Sequence, residues 1–153
     1  MKKICLFMFA CTTLIGLTGC GSNNVEGSLE ELMTKMYSDI KEDERPMVAN
    51  TEVTSENIEY YLGTSDIEYE EALASEPMMS SIAHSVVLVR VKDNADIEAI
   101  KTKIKENVDP RKWLCVGVEE EDVIVKNKGN LIVLIMVENE EIRTKLEEGF
   151  NNL

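Results

Sequence analysis

The stretch from Ile82 to Val91 constrains the fold more than any other part of the chain. In a strand, alternation puts Ala83, Ser85, Val87, Val89 and Val91 on one face and Ile82, His84, Val86, Leu88 and Arg90 on the other. Both faces are apolar almost to the end. A strand of this kind belongs in the middle of a sheet that is covered on both sides, so Val87 and Leu88 are both expected in the core. A second run, Leu131 to Val137, is continuously apolar and follows the turn sequence Lys128-Gly129-Asn130, which marks another inner strand.

Helical patterns surround these strands. Ser28 with Glu31 forms a capping box ahead of Leu29, Leu32, Met33, Met36, Tyr37 and Ile40, which recur at helical spacing. The polar run Lys41 to Arg45 and then Pro46 end that helix. Thr54 to Leu62, closed by Gly63, reads as a shorter helix that turns Ile58, Tyr61 and Leu62 inward. Ile67, Tyr69, Glu71 and Leu73 alternate as a strand, and Pro77 to Ser81 forms a turn. Asp93 or Asn94 caps a helix with Ile97, Ile100, Ile104 and Val108 as its stripe, stopped by Asp109-Pro110. Trp113 to Val118 and Asp122 to Lys126 read as strands around an acidic turn. Glu140 to Phe150 is a final helix burying Ile142, Leu146 and Phe150. The fold class expected is α+β, a mainly antiparallel sheet of four to five strands packed with helices. Its core resembles a permuted ferredoxin-like unit.

The N-terminus carries an address. Lys2 and Lys3 precede an uncharged run, Ile4 to Leu17, which is shorter than the ~20 apolar residues a spanning helix needs. Leu17-Thr18-Gly19-Cys20 resembles a bacterial lipobox, which implies a diacylglyceryl group on the Cys20 thiol and cleavage just before it. Acyl chains at about 0.8 kcal/mol per buried CH₂ would hold the chain on a membrane without a spanning helix. The organisation expected is a lipoprotein signal peptide over 1–19, a lipidated cysteine and flexible tether over 20–27, and one domain over 28–153. A seven-residue tether after Cys20 reaches at most about 25 Å. The location expected is the extracytoplasmic face of the cell membrane. Cys5 and Cys11 would leave with the leader, so Cys115 would be a lone thiol, read as a small buried apolar residue.

A family resemblance rests on Pro77 to Lys92, on Arg111-Lys112-Trp113-Leu114-Cys115-Val116, and on Asn130 to Val137. Together these are similar to a Gram-positive, chiefly clostridial, lipoprotein family catalogued as a domain of unknown function (DUF4358). The likeness spans about Leu29 to Phe150. It implies a lipid-anchored single domain and supplies no catalytic or ligand-binding residues.

Composition excludes some functions. With 16 basic against 29 acidic residues and a net charge of −13, the chain is a poor partner for nucleic acid. At 5% aromatic it offers few stacking platforms. His84, the one histidine, has Ser80, Ser81 and Ser85 nearby but no nucleophile elbow around any of them, and it reads as a structural residue. One histidine and one free thiol do not make a zinc site, and Glu119 to Asp122 lacks the spacing of a calcium loop. No catalytic residue, metal or cofactor is assigned.

Met78 and Met79 either plug one end of the core or offer an adaptable contact, and Trp113 either packs inside or anchors an interface. Met78, Met79, His84 and Trp113 are therefore the candidate interaction residues. Lys101, Lys103, Lys105, Arg111 and Lys112 form a basic neighbourhood that suits the domain's own acidic segments best, with an acidic wall polymer or the membrane surface as the alternatives. The function expected is a non-enzymatic binding module at the cell envelope. Its partners are the membrane, through the anchor, and an envelope protein or polymer. An envelope hydrolase or a small-ligand-binding lipoprotein is the alternative.

Overall fold

A computed structural model describes residues 24–153. The chain order is α1 (Leu29–Met36), β1 (Val48–Glu52), α2 (Ile58–Leu62), β2 (Glu71–Pro77), β3 (His84–Arg90), α3 (Ile97–Asn107), β4 (Ile124–Lys128), β5 (Leu131–Val137) and α4 (Glu140–Asn151). The five strands form one sheet in the order β1-β2-β3-β5-β4, and every neighbouring pair is antiparallel. The expected α+β class is the one observed.

The central strand is β3, with Leu73 opposite Leu88 on one side and Leu134 opposite Val87 on the other. Val87 and Leu88 are both fully buried, as is every residue of β5. One face of the sheet packs Val87, Val89, Ile132 and Leu134 against Ile58 and Leu62 of α2 and Ile100 and Ile104 of α3. The other packs Val86, Leu88, Leu131, Val133 and Ile135 against α1 and α4. The double-sided hydrophobicity of β3 and β5 is thus explained by helices on both faces.

Strands β3 and β4 run parallel with β5 between them and α3 joining them, a split β-α-β unit. With β2 added, the order β2-β3-β5-β4 is that of a ferredoxin-like sheet whose last strand has been moved to the front. The helices depart from that plan, because α3 and α4 lie on opposite faces.

Local signals set several boundaries. The Ser28 capping box is present, with the Glu31 amide donating to Ser28 Oγ and the Ser28 amide to Glu31 Oε2. Gly63 closes α2 at φ 72°, and a Cβ there would lie 2.1 Å from the Asn107 carbonyl oxygen. Asp96, rather than Asp93 or Asn94, caps α3 by accepting from the Ala99 amide at 3.0 Å.

Other expectations need correction. Strand β1 has no counterpart in the sequence reading, because an edge strand with only Val48 half-buried carries no alternation. The strand expected over Ile67 to Leu73 begins only at Glu71. Ile67 and Tyr69 pack beside the core from an irregular lead-in. Residues 113–118 form no strand. There the Leu114 amide donates to the Ser80 carbonyl and the Val118 amide to the Pro110 carbonyl, bonds that close a loop instead of extending a ladder. Cys115 in that loop has φ 62° and is exposed, so it is not the buried apolar residue expected.

The end of the expected tether is fastened to the sheet. Arg90 donates to the Val25 carbonyl at 2.5 Å and to the Gly27 carbonyl at 2.6 Å, and Val25 is buried. Asn24 donates to Asp93 at 2.7 Å. Cys20 and the expected signal peptide lie outside the described residues.

Candidate functional site

His84 opens β3 on the face that packs against α1, and it is 1% exposed. Its Nε2 lies 2.7 Å from the Tyr37 hydroxyl at the end of α1, a hydrogen bond whose donor is set by the histidine tautomer. Burial, helped by the nearby Arg45 charge, pushes the His84 pKa down to about 4. Burial likewise pushes the Tyr37 phenol up to about 12, opposed by the neighbouring Ser75 hydroxyl and Arg45. Near neutral pH the pair is an uncharged imidazole and an uncharged phenol. Among the described residues no carboxylate hydrogen-bonds the ring, so the arrangement differs from a nucleophile–histidine–acid triad.

Arg45 lies over the Tyr37 ring, 4.9 Å from its centroid. Its Nε is buried without a hydrogen-bond partner, and so is the Oγ of fully buried Ser75 on β2. Ser75 sits close enough to Tyr37 to influence the phenol, but its geometry does not make a hydrogen bond. Each orphaned group costs about 1–3 kcal/mol, which a well-packed core normally avoids. Both border a cleft of about 540 Å³ between the end of α1, the loop after it and the β1–β2 edge. Tyr37, Ser38, Glu42, Arg45, Asn50 and Ser75 are among its polar lining residues. Sequence pattern alone does not reveal this site. Tyr37 falls within a helical stripe, and Arg45 reads as part of a solvated charge run.

The remaining candidates separate. Trp113 is 7% exposed and belongs to the core on the α3 side, so it is no interface anchor. Met78 and Met79 are 88% and 62% exposed, which overturns the core-plug reading. The Val48–Pro77 pairing brings exposed Met47 beside Met78, and the Leu114–Ser80 hydrogen bond brings exposed Leu114 beside Met79. Four large apolar side chains therefore project from neighbouring turns at one end of the sheet.

The basic neighbourhood is spent within the domain. Lys103 pairs with Asp66 at 2.6 Å, Arg111 with Glu119 at 3.1 Å and Lys101 with Glu98 at 2.6 Å. Lys105 donates to the carbonyls of Glu120 and Val123. Lys112 is the most enclosed, its ammonium 2.6 Å from Glu76 and 4.4 Å from the Tyr60 ring centroid. Burial lowers its pKa, and Glu76 opposes that shift.

Among the described residues, no three His, Cys, Asp or Glu side chains converge as a metal-binding group. Nor is any helix there long and apolar enough to cross a membrane.

Residues 46–137 match the family described as Domain of unknown function (DUF4358). The chain belongs to that family. The matched segment holds the whole sheet together with Asn50, Ser75 and His84, while Tyr37 and Arg45 precede it. No curated protein and no solved structure shows a match to this chain.

Proposed function

We propose that this DUF4358 chain is a lipid-anchored, non-enzymatic binding module on the extracytoplasmic face of the membrane. Its contact surface for an envelope partner is the exposed patch of Met47, Met78, Met79 and Leu114. The observation that carries the binding half is the exposure of those four side chains together. Methionine is unbranched and polarizable, so such a patch adapts to a partner's contours at low cost. The neutral, phenol-paired His84 supports a non-enzymatic reading, since a general base works best with a pKa near the working pH. The anchoring half rests on Lys2, Lys3, the uncharged run and Leu17-Thr18-Gly19-Cys20.

Two measurements test the two halves. Replacing Cys20 with Ala should abolish incorporation of labelled palmitate, and undiminished labelling would refute the anchor. A photo-cross-linker at position 78 in intact cells should give a discrete adduct that one at exposed Glu121 does not give. Indistinguishable cross-linking from the two positions would refute the patch as the contact surface.

A further inference from the structure

We infer that the cleft bordered by Tyr37, Arg45 and Ser75 is a binding site for a small carboxylate, with the Arg45 guanidinium as its anchor. The chain has four arginines, and Arg90, Arg111 and Arg143 each hold a carboxylate, from Glu71, Glu119 and Asp122 respectively. Among the described residues Arg45 alone has none, although acidic side chains far outnumber basic ones. It also makes no side-chain hydrogen bond there, and its Nε is shielded from water. The Tyr37 ring lies 4.9 Å from its Cζ, a contact that restricts the guanidinium and its fork of donors.

A second, independent feature points into the same cleft. Ser75 is 0% exposed and its Oγ has no partner, so the floor of the cleft carries a hydroxyl with unused hydrogen-bonding capacity. Asn50, on the neighbouring strand and paired in register with Ser75, adds an amide to the lining. Two orphaned polar groups and an amide around one opening are what a ligand's oxygens would satisfy.

The charge inventory selects the ligand class. Lys41 also lines the cleft but is 2.8 Å from Glu44, which in turn holds Lys145 at 3.2 Å. That leaves one unpaired cation, Arg45, and one unpaired carboxylate, Glu42, among the lining residues. A planar, singly charged carboxylate matches the fork and its charge. A phosphate dianion would bring a second negative charge with no cation to meet it, and Glu42 would repel it. Glu42 further favours ligands that carry an ammonium beside the carboxylate, so the class fitted best is a free amino acid or a very short peptide. The volume of about 540 Å³ accommodates one.

The test reads the arginine Nε–Hε signals of the full chain in detergent by nitrogen–proton NMR, with Arg45 assigned from Arg45→Lys. Probes are L-alanine, Ala-Ala, N-acetylalanine, alanine amide and inorganic phosphate, each up to about 20 mM, a range that detects millimolar affinity. The three carboxylates should move the Arg45 signal saturably, and alanine amide and phosphate should leave it in place. Arg45→Lys, followed in the same titration by the Asn50 side-chain amide signals, should weaken Ala-Ala binding about tenfold or more, because an ammonium cannot reproduce the planar fork. Ser75→Ala should weaken binding about threefold or more while the His84 ring signals stay native, which separates lost binding from lost folding. An Arg45 signal unmoved by all three carboxylates would overturn the assignment. So would an equal response to alanine amide or phosphate. The cross-link at position 78 is read separately, so either idea can fail without the other.

Discussion

His84 shows how one buried titratable group ties stability to pH. Its pKa in the folded chain is about 4, against an ordinary 6.5. Between those values the unfolded chain binds more protons than the folded one, so stability rises with pH through that window. The contribution is complete above about 6.5, falls away as the pH drops towards 4, and is flat below. At about 1.4 kcal/mol for each pH unit in that window, the loss is on the order of 3 kcal/mol. Exposed carboxylates such as Glu44 and Asp66, whose pKa values are lowered by lysine partners, also lose stability in acid. A His84→Gln comparison cancels them. The wild type should lose more stability than His84→Gln between pH 7 and pH 4.5, measured by urea unfolding at each pH. Parallel curves would show that the imidazole titrates alike in both states, so that burial does not depress its pKa. The apolar neighbours of His84 in the sequence foretold its burial, but not that Tyr37, 47 positions away, hydrogen-bonds its ring.

Elements were legible where burial imposes a period. The central strand, the Lys128–Asn130 turn, β5 and α4 all follow directly from the apolar pattern, because each buries a full face. Edge strand β1 and the loop over 113–118 did not, since long-range pairing and loop closure set their shapes and neither leaves a period. Helix contact was equally invisible. Gly149 sits within α4, where a Cβ would lie 2.6 Å from the Met36 carbonyl oxygen and 2.9 Å from the Met36 Cα. Both are backbone atoms at the end of α1 and cannot swing away. Gly→Ala inside a helix ordinarily stabilises by up to about 1 kcal/mol. Here the close approach of α1 and α4 reverses the sign, and Gly149→Ala should cost about 1–3 kcal/mol, as overpacking does. A lower thermal midpoint bears this out, and a raised one would mean that the two helices separate freely.

At the scale of the whole molecule, the Arg90 clamp decides how the domain stands relative to whatever precedes it. Arg90 is 14% exposed in its side chain and binds the Val25 and Gly27 carbonyls together with Glu71. Four of the seven residues expected to form the tether, 24–27, are thereby held against the sheet end. Under the lipid-anchor proposal, only the step from Cys20 to Asn24 would separate acyl chains from folded protein, at most about 14 Å. That is comparable with the ~8 Å Debye length, so a strongly acidic domain would feel an anionic surface rather than stand clear of it. Membrane attachment should therefore weaken at low salt in anionic vesicles more than a free tether allows. The clamp itself can be tested without lipid. Glu26 lies inside the clamped segment, so cleavage after Glu26 by a glutamate-specific protease needs Val25 to Gly27 to lift away. Arg90→Met keeps the buried stem and removes the two carbonyl contacts, while leaving Glu71 half-exposed in water. Cleavage after Glu26 should speed up about tenfold or more, which corresponds to about 1.4 kcal/mol of lost local stability. The thermal midpoint, measured alongside, should fall much less than global unfolding would require. Unchanged cleavage would mean that Val25 burial and the Asn24–Asp93 hydrogen bond hold the segment without the clamp.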